Sequence, residues 1–537
     1  MKNKIIYLLV LSSVLLAGCF KQNNPSSSNN QSSSREQSSS EEKSSSSSSE
    51  STRPKTGTTT IEVYSTNDFH GAVEENGTEV GLARWGTFLK NKNQSENTLL
   101  IDQGDTWQGS IYSNFNKGAL LTDVMNYVKF DARSVGNHDF DWGQEYIAIN
   151  KNREYEGYTT PTLAGNVYDY DFEHKIEGTH QMSNLGTTSV TYVLENEVKV
   201  GILGGIGTSQ LTSICSSFTR DICFKNHVQF IKDEATKLRN DEHCDIIIAS
   251  IHAPQDEVMY NGLSSYVDLV LCGHSHAQET GKEGDLNYIQ TYAKGQSIGK
   301  TTITFDYATN KKSQVVCSFI DSNTIKANTS TIDTTVQGLI NQYNNQSKTE
   351  REEVLANNVS GSFYSSGSAA NLMCRAIFDK AIASGYNIDI AMTNYARENL
   401  INPDDPTMLT YTDLYRSFPF DNIIYIAEIT GNEFMKELGY SSNYMYRNPS
   451  FTTDTIYPTQ KYKVAVIDYL YLHINENHIY DYFSETGGSS TTTLNKNYRE
   501  ILRDWLCAGN YAKGTSLSAY DYTNSQWAHN KNNFHKG

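Results

Sequence analysis

No CxxC pair occurs anywhere in the chain, which removes the usual frame of a thiolate zinc site. Basic residues are scarce beside acidic ones, 44 against 61, and the formal charge of −17 opposes a general role in binding nucleic-acid polymers or other polyanions. Small phosphorylated ligands stay compatible with that charge, because a metal site supplies positive charge locally. There is no internal repeat, so a solenoid or propeller is excluded. The apolar run from Ile5 to Leu16 is too short for a mature membrane span. Nor do the eight cysteines form an evident disulfide framework. Cys244 and Cys272 fall in or beside apolar strands and read as buried thiols, while Cys215 and Cys223 could either pair in a loop or stay reduced.

What the N-terminus does contain is a processing signal. Lys2 and Lys4 precede the apolar run, and Leu16-Ala17-Gly18-Cys19 closes it, the form of a lipoprotein signal in which Cys19 becomes the lipidated N-terminus. An extracytoplasmic protein follows, touching the membrane only through that anchor. Residues 20–57 are dominated by Ser, cannot bury enough apolar surface to fold, and read as a disordered tether.

The remaining length requires two globular domains. From residue 58 to 325, short apolar strands alternate with helical or loop segments: Ile61 to Tyr64, Leu99 to Asp102, Val198 to Leu203, Asp245 to Ile251 and Val267 to Cys272. Residues 326–355 carry Val336, Leu339, Ile340 and Tyr343 at helical spacing among polar groups, which predicts an exposed linking helix. A second α/β segment spans 356–537, with helices around Asn371 to Ser384 and Tyr498 to Leu506, and strands near Ile388 to Met392, Ile423 to Ile429 and Tyr462 to Ile467.

Polar, metal-competent residues close several strands of the first domain, where open α/β sheets place their ligands. Asp68-Phe69-His70 follows the first strand, and alternation in an extended stretch would put a carboxylate and an imidazole on one side. Gly104-Asp105 follows the second, the glycine letting the backbone turn so that the carboxylate enters a cleft where it could bridge two cations. In Gly136-Asn137-His138-Asp139-Phe140-Asp141 a carboxamide oxygen can ligate while the next histidine stays available to act on substrate. His252 ends a very apolar strand, and Gly273-His274-Ser275-His276 sets two imidazoles two residues apart after another. Singly, Asp-x-His and Gly-Asp are weak signals; five such elements in this order argue for a two-metal site. Carboxylate, amide and imidazole donors without thiolate suit Mn, Fe, Co or Zn better than Ca or Mg.

In this order the elements resemble the calcineurin-like metallophosphoesterases, specifically the 5′-nucleotidase and UDP-sugar hydrolase family, whose pattern is D-x-H, GD, GNHEFD, H, GH-x-H. Gln108-Gly109-Ser110, Asp123 with Met125-Asn126, and Asn166 extend the agreement over nearly all of residues 60 to 320. The resemblance implies a four-layer α/β/β/α metallophosphoesterase domain followed by an α/β substrate-binding domain. It implies that Asp68, His70, Asp105 and His276 bind one divalent metal and Asp105, Asn137, His252 and His274 the other, with His138 and Asp141 as the catalytic dyad. Asp139 stands where the family has Glu. The second domain resembles the family through Ala370-Asn371-Leu372, Asp389-Ile390-Ala391-Met392-Thr393-Asn394 and Phe418-Pro419-Phe420-Asp421-Asn422. That implies a base held between Phe420 and Tyr469, with Asn394, Arg397 and Asn422 completing the substrate pocket. Two family motifs are altered, to Asn394-Tyr395-Ala396-Arg397 and to Ile474-Asn475-Glu476-Asn477, and Ser362-Phe363-Tyr364-Ser365 stands where phosphate-holding arginines are expected. The function so implied is release of phosphate from nucleoside 5′-monophosphates or related nucleotides. A 2′,3′-cyclic-nucleotide phosphodiesterase or UDP-sugar hydrolase on the same site is the neighbouring reading, and a non-catalytic surface binding lipoprotein the reading of another class.

Overall fold

The computed structural model describes residues 6–7, 53, 56–439, 443–472, 492–523 and 534–537; Cys19, most of the Ser-rich stretch and Ile474 to Asn477 lie outside the described residues. Two sheets face each other in the N-terminal part. One has the strand order Ile6–Tyr7, Ser189–Val193, Lys199–Ile206, Ile246–His252, Leu269–Cys272, Leu286–Gln290, Glu279–Glu283. The other runs Lys311–Asp321, Ser297–Asp306, Thr58–Thr66, Thr98–Asp102, Ala132–Ser134, Thr162–Leu163. Alternation along each strand makes the layers. Ile61, Val63, Leu99 and Ile101 point between the sheets, against Ile202, Ile246, Ile248, Leu269 and Leu271. Tyr64 and Leu100 point the other way, into a core with Trp85, Phe88 and Val124 from helices Gly81–Lys92 and Ala119–Val128. On the opposite outer face Ile247, Ala249 and Ile251 pack on Ile231, Ala235 and Leu238 of the helix His227–Asn240. The result is the expected α/β/β/α arrangement.

The central strands Ile246–His252, Lys199–Ile206 and Leu269–Cys272 pair in parallel, as do Thr58–Thr66, Thr98–Asp102 and Ala132–Ser134. Their carboxyl ends therefore gather at one rim of the sandwich. At the opposite end Arg53 clasps Asp245, immediately before the Ile246–His252 strand, through two hydrogen bonds of 2.8 and 3.0 Å, and lies over the Phe305 and Tyr307 rings.

The linking helix spans Thr334–Arg351 and is capped by Asp333, which accepts from the Thr335 and Val336 amides. The expectation of an exposed helix needs correcting. Val336, Leu339, Ile340 and Tyr343 are buried in the core beneath helices Gly81–Lys92 and Ala119–Val128, and Tyr343 donates to Asp123 at 2.7 Å. Its polar face gave the appearance of a solvated linker.

In the C-terminal part the sheet order is Asn443–Arg447, Ile390–Asn394, Lys461–Ile467, Ile423–Thr430, Thr492–Asn497. Helices Ser368–Ala383 and Tyr498–Ala508 bury Leu372, Met373, Ile377, Ile501 and Leu502 against it. Cys215, Cys223, Cys244 and Cys272 are all reduced, the latter three buried. No helix among the described residues is long and apolar enough to cross a membrane.

Candidate active site

All seven expected ligands sit at the rim where the parallel strands end, but the local geometry is not the extended one that spacing alone predicts. Asp68, His70, Asp105, His274 and His276 all have positive φ, between 50° and 76°. Side chains at i and i+2 converge here because the backbone turns through the left-handed region after each strand. Such conformations cost roughly 1–3 kcal/mol each in non-glycine residues and persist only where surrounding contacts impose them. Those contacts are visible. The Asp68, His70 and Gly71 amides donate to the Gly104, Asp105 and Thr106 carbonyls at 2.9–3.0 Å, so two turns run side by side. Gly104, at φ 91°, lies so close to the next loop that a β-carbon would fall 2.6 Å from the Gly136 nitrogen.

The side chains form two adjoining groups, Asp68 with His70 and His276, and Asp105 with His252 and His274, each with its ligand atoms within 4.8 Å of one another. His70 Nδ1 pairs with the Gln108 carbonyl at 2.9 Å and His252 Nδ1 with that of Gln103 at 2.8 Å. A carbonyl only accepts, so each Nδ1 carries a proton and each Nε2 faces inward. Asn137 Oδ1 lies 3.1 Å from His252 Nε2 and 2.9 Å from His274 Nδ1. His70 Nε2 and His276 Nε2 are 3.0 Å apart, and Asp105 Oδ2 is 3.2 Å from His252 Nε2 and 3.9 Å from His70 Nε2, between the two groups.

The donor set fits divalent cations. Asp68 Oδ2 accepts from the His274 amide and Asn67, and Asp105 Oδ1 from the His138 amide, yet the other oxygen of each carboxylate is buried without a well-aligned hydrogen bond. Those two oxygens face imidazole nitrogens, 3.4 Å away for Asp68 Oδ1 and His276. Acceptors gathered on acceptors need positive charge between them. Burial, the largest influence, and the neighbouring imidazoles bring His70 and His274 down to about 4, so their lone pairs are available. Burial would push Asp105 up, but His252, His138 and His70 hold it well below the usual carboxylate range. In the same way burial disfavours charge on His252, while Asp105 and Asp68 hold it up at about 10. The cage is thus built to bind positive charge.

His138 is the second residue of the 3₁₀ turn Asn137–Phe140, and its Nδ1 pairs with Asp141 Oδ2 at 2.8 Å. Burial works against an imidazolium there, but Asp141 and Asp105 raise its pKa above the ordinary value. Asp139, which stands where the family has Glu, holds the turn together. It is fully buried, pairs with Arg133 at 2.7 Å and accepts from the Gly136 amide at 2.9 Å. Sequence reasoning missed Arg133, an isolated basic residue in an apolar strand being its only signal.

A cavity of about 560 Å³ opens on the cage, and its wall comes from both domains. Asp105, Asn137, His138, Asp141, His274 and His276 line one side; the five residues expected to hold substrate, Asn394, Arg397, Phe420, Asn422 and Tyr469, line the other. Phe420 stacks on His138, with ring centroids 5.8 Å apart and 21° between planes, and Arg397 lies 4.8 Å over the Phe420 ring. Asn114 Nδ2 donates to the Pro419 carbonyl at 3.2 Å and Lys117 pairs with Asp421 at 2.5 Å, so the Phe-Pro-Phe-Asp-Asn loop is docked on the first domain. Asp468, Asp421 and Cys215 also line the cavity and were given no site role from sequence, although Asp421 lies in the Phe418 to Asn422 motif and Asp468 adjoins Tyr469. They come from segments far apart in the chain, so no spacing marks them.

Residues 345–455 match the family described as 5'-nucleotidase, C-terminal domain. A 5'-nucleotidase of Diplobatis ommata is 28% identical over 280 residues, 46% of each chain. A cell wall protein of Listeria monocytogenes is 26% identical over 519 residues, 78% of this chain and 65% of its own length. The chain spans about half the length of the first curated relatives it matches. Among solved structures, a 5'-nucleotidase precursor from Thermus thermophilus superposes with a TM-score of 0.65 at 15% identity, covering 87% of this chain and 99% of its own.

Proposed function

We propose that this chain, which resembles the 5′-nucleotidases in both of its domains, is an extracytoplasmic dinuclear-metal phosphohydrolase releasing phosphate from nucleoside 5′-monophosphates or related nucleotides. The observation that carries this reading is the pair of buried carboxylate oxygens, Asp68 Oδ1 and Asp105 Oδ2, left without aligned donors amid inward-facing imidazoles. In this proposal Asp68, His70, Asp105 and His276 hold one ion, and Asp105, Asn137, His252 and His274 the other. Two divalent ions supply, when bound, charge that polarises phosphoryl oxygens and lowers the pKa of water.

The chain's own residues do the rest. The His138 amide is tied to Asp105 Oδ1 at 2.8 Å, which fixes the imidazole beside the cage. Asp141 accepts from Nδ1, leaving Nε2 to donate to a phosphoryl oxygen or to the departing alkoxide. Residues 58–325 form the catalytic unit in this reading and 356–537 the unit that holds the leaving group. Phe420 and Tyr469 would stack on an aromatic base and Arg397 would meet phosphate.

Metal analysis of purified protein, with phosphate release followed across nucleoside monophosphates, cyclic nucleotides and sugar nucleotides, tests the proposal. About two divalent ions per chain and turnover of monophosphates are expected. Turnover confined to a cyclic or sugar nucleotide reassigns the substrate; metal-free protein or no release from any ester overturns the enzyme reading. Anchoring through Cys19 is part of the proposal, supported by the signal sequence, while a relative named as a cell wall protein supports only the extracytoplasmic location. Cys19→Ala should move the protein from the detergent phase to the aqueous phase.

A further inference from the structure

Asp468 lines the cavity but belongs neither to the cation cage nor to the expected substrate set. It is 3% exposed and opens the short helix Asp468–Tyr471. Its Oδ1 accepts from the Asn422 amide nitrogen at 2.9 Å and from the Tyr469 backbone amide at 2.8 Å, and its Oδ2 from the Ile423 amide at 3.2 Å. The Cys215 thiol is a further neighbour on the cavity side. A carboxylate has no proton to give, so Asn422 must turn its NH₂ toward it. That removes the ambiguity of a carboxamide, which otherwise presents donor or acceptor by rotating half a turn. Asn422 Oδ1, which accepts from no group among the described residues, is then what the amide offers to a ligand beside Phe420 and Tyr469.

Resting on the proposed nucleotide chemistry, we infer that Asp468 is a positioning residue that fixes Asn422 as a hydrogen-bond acceptor, so that the pocket favours leaving groups presenting an N–H donor at the base edge. The chemical class is a base with an exocyclic amine, and the corresponding purine without that amine is disfavoured because it turns only ring-nitrogen acceptors toward the Asn422 acceptor. A misplaced polar pair of this kind costs about a factor of ten in discrimination.

Adenosine and purine-riboside 5′-monophosphates, which differ only in the exocyclic amine, are compared with 4-nitrophenyl phosphate, which has no base, using the metal-loaded full chain. The expected result is a preference of about tenfold in kcat/KM for the amino base in the unaltered protein. In Asp468→Asn the preference should fall to about twofold through a lower KM for the purine lacking the amine, because Asn422 can then rotate and donate to its ring nitrogen. If that variant does not fold, Asn422→Ala, which keeps the carboxylate and its backbone bonds, must lose the preference as well. Both KM values rising together in Asp468→Asn with the ratio intact, or a preference surviving in Asn422→Ala, would overturn the inference. Equal turnover of both nucleotides by the unaltered protein overturns the inference alone. Nucleotides handled no better than 4-nitrophenyl phosphate overturn the nucleotide reading beneath it.

Discussion

At the scale of single residues, the cage separates groups that hold charge from groups that move protons. Asp105→Ala removes the carboxylate lying between both clusters, so metal content and phosphate release should disappear together. His138→Ala removes a group outside both clusters; metal content should stay while kcat falls by roughly 10²–10⁴. Elemental analysis alongside a phosphate assay distinguishes the two, and full activity in the His138 variant would refute its assigned role. At Gly136 a β-carbon would fall 2.2 Å from Asp105 Oδ1, so Gly136→Ala should lower metal occupancy although alanine itself cannot ligate. Asp468 also has a pH signature. Burial, against its hydrogen bonds, raises its carboxyl from 3.8 to about 6, so the folded chain binds that proton more tightly than the unfolded one. The contribution is fully present below about 3.8 and is lost, by about 3 kcal/mol, as pH rises to about 6. Urea unfolding of the unaltered protein and Asp468→Asn at pH 4.5 and 7 should show the difference between them moving against the unaltered protein at the higher pH.

At the scale of elements, the strands that carry the cage were legible because each is a short apolar run stopped by polar residues. Leu99 to Asp102 and the run to Ile251 match Thr98–Asp102 and Ile246–His252 to within a residue or so. The turns after them were not legible, since periodicity says nothing about the sign of φ, and Asp68 and His70 meet by a left-handed turn rather than by strand alternation. The burial of the Thr334–Arg351 helix was hidden for a related reason. Four apolar residues in a long polar helix do not reveal that another layer already waits for them. Its anchor is a buried polar network in which Tyr343 Oη donates to Asp123, which also pairs with Arg153. Tyr343→Phe should lower stability by about 1 kcal/mol, read as a lower denaturation midpoint with unchanged slope.

At the scale of the whole molecule, the cage closes five separate strand ends and the cavity closes two domains, so ligand binding and folding are linked. Removing metal with a chelator should abolish activity and lower the melting temperature. At a free-ion concentration a thousandfold above Kd the lost stabilisation is about 4 kcal/mol per site, and adding Mn, Zn, Co or Fe back should restore it. The residues of the cage could be read from sequence because each stands at or after the end of a strand. The far wall could not be read to the same depth: Asp421, Asp468 and Cys215 reach the cavity only once the second domain docks through Lys117 and Asn114.

Arg53 gives this architecture a direction. Its grip on Asp245 holds the backbone ahead of the Thr58–Thr66 strand at the floor of the sandwich, whereas His252, seven residues beyond Asp245, stands at the rim roughly 20 Å away. A molecule moored by the stretch preceding Arg53 would be held from the floor, the end of the sandwich opposite the cage.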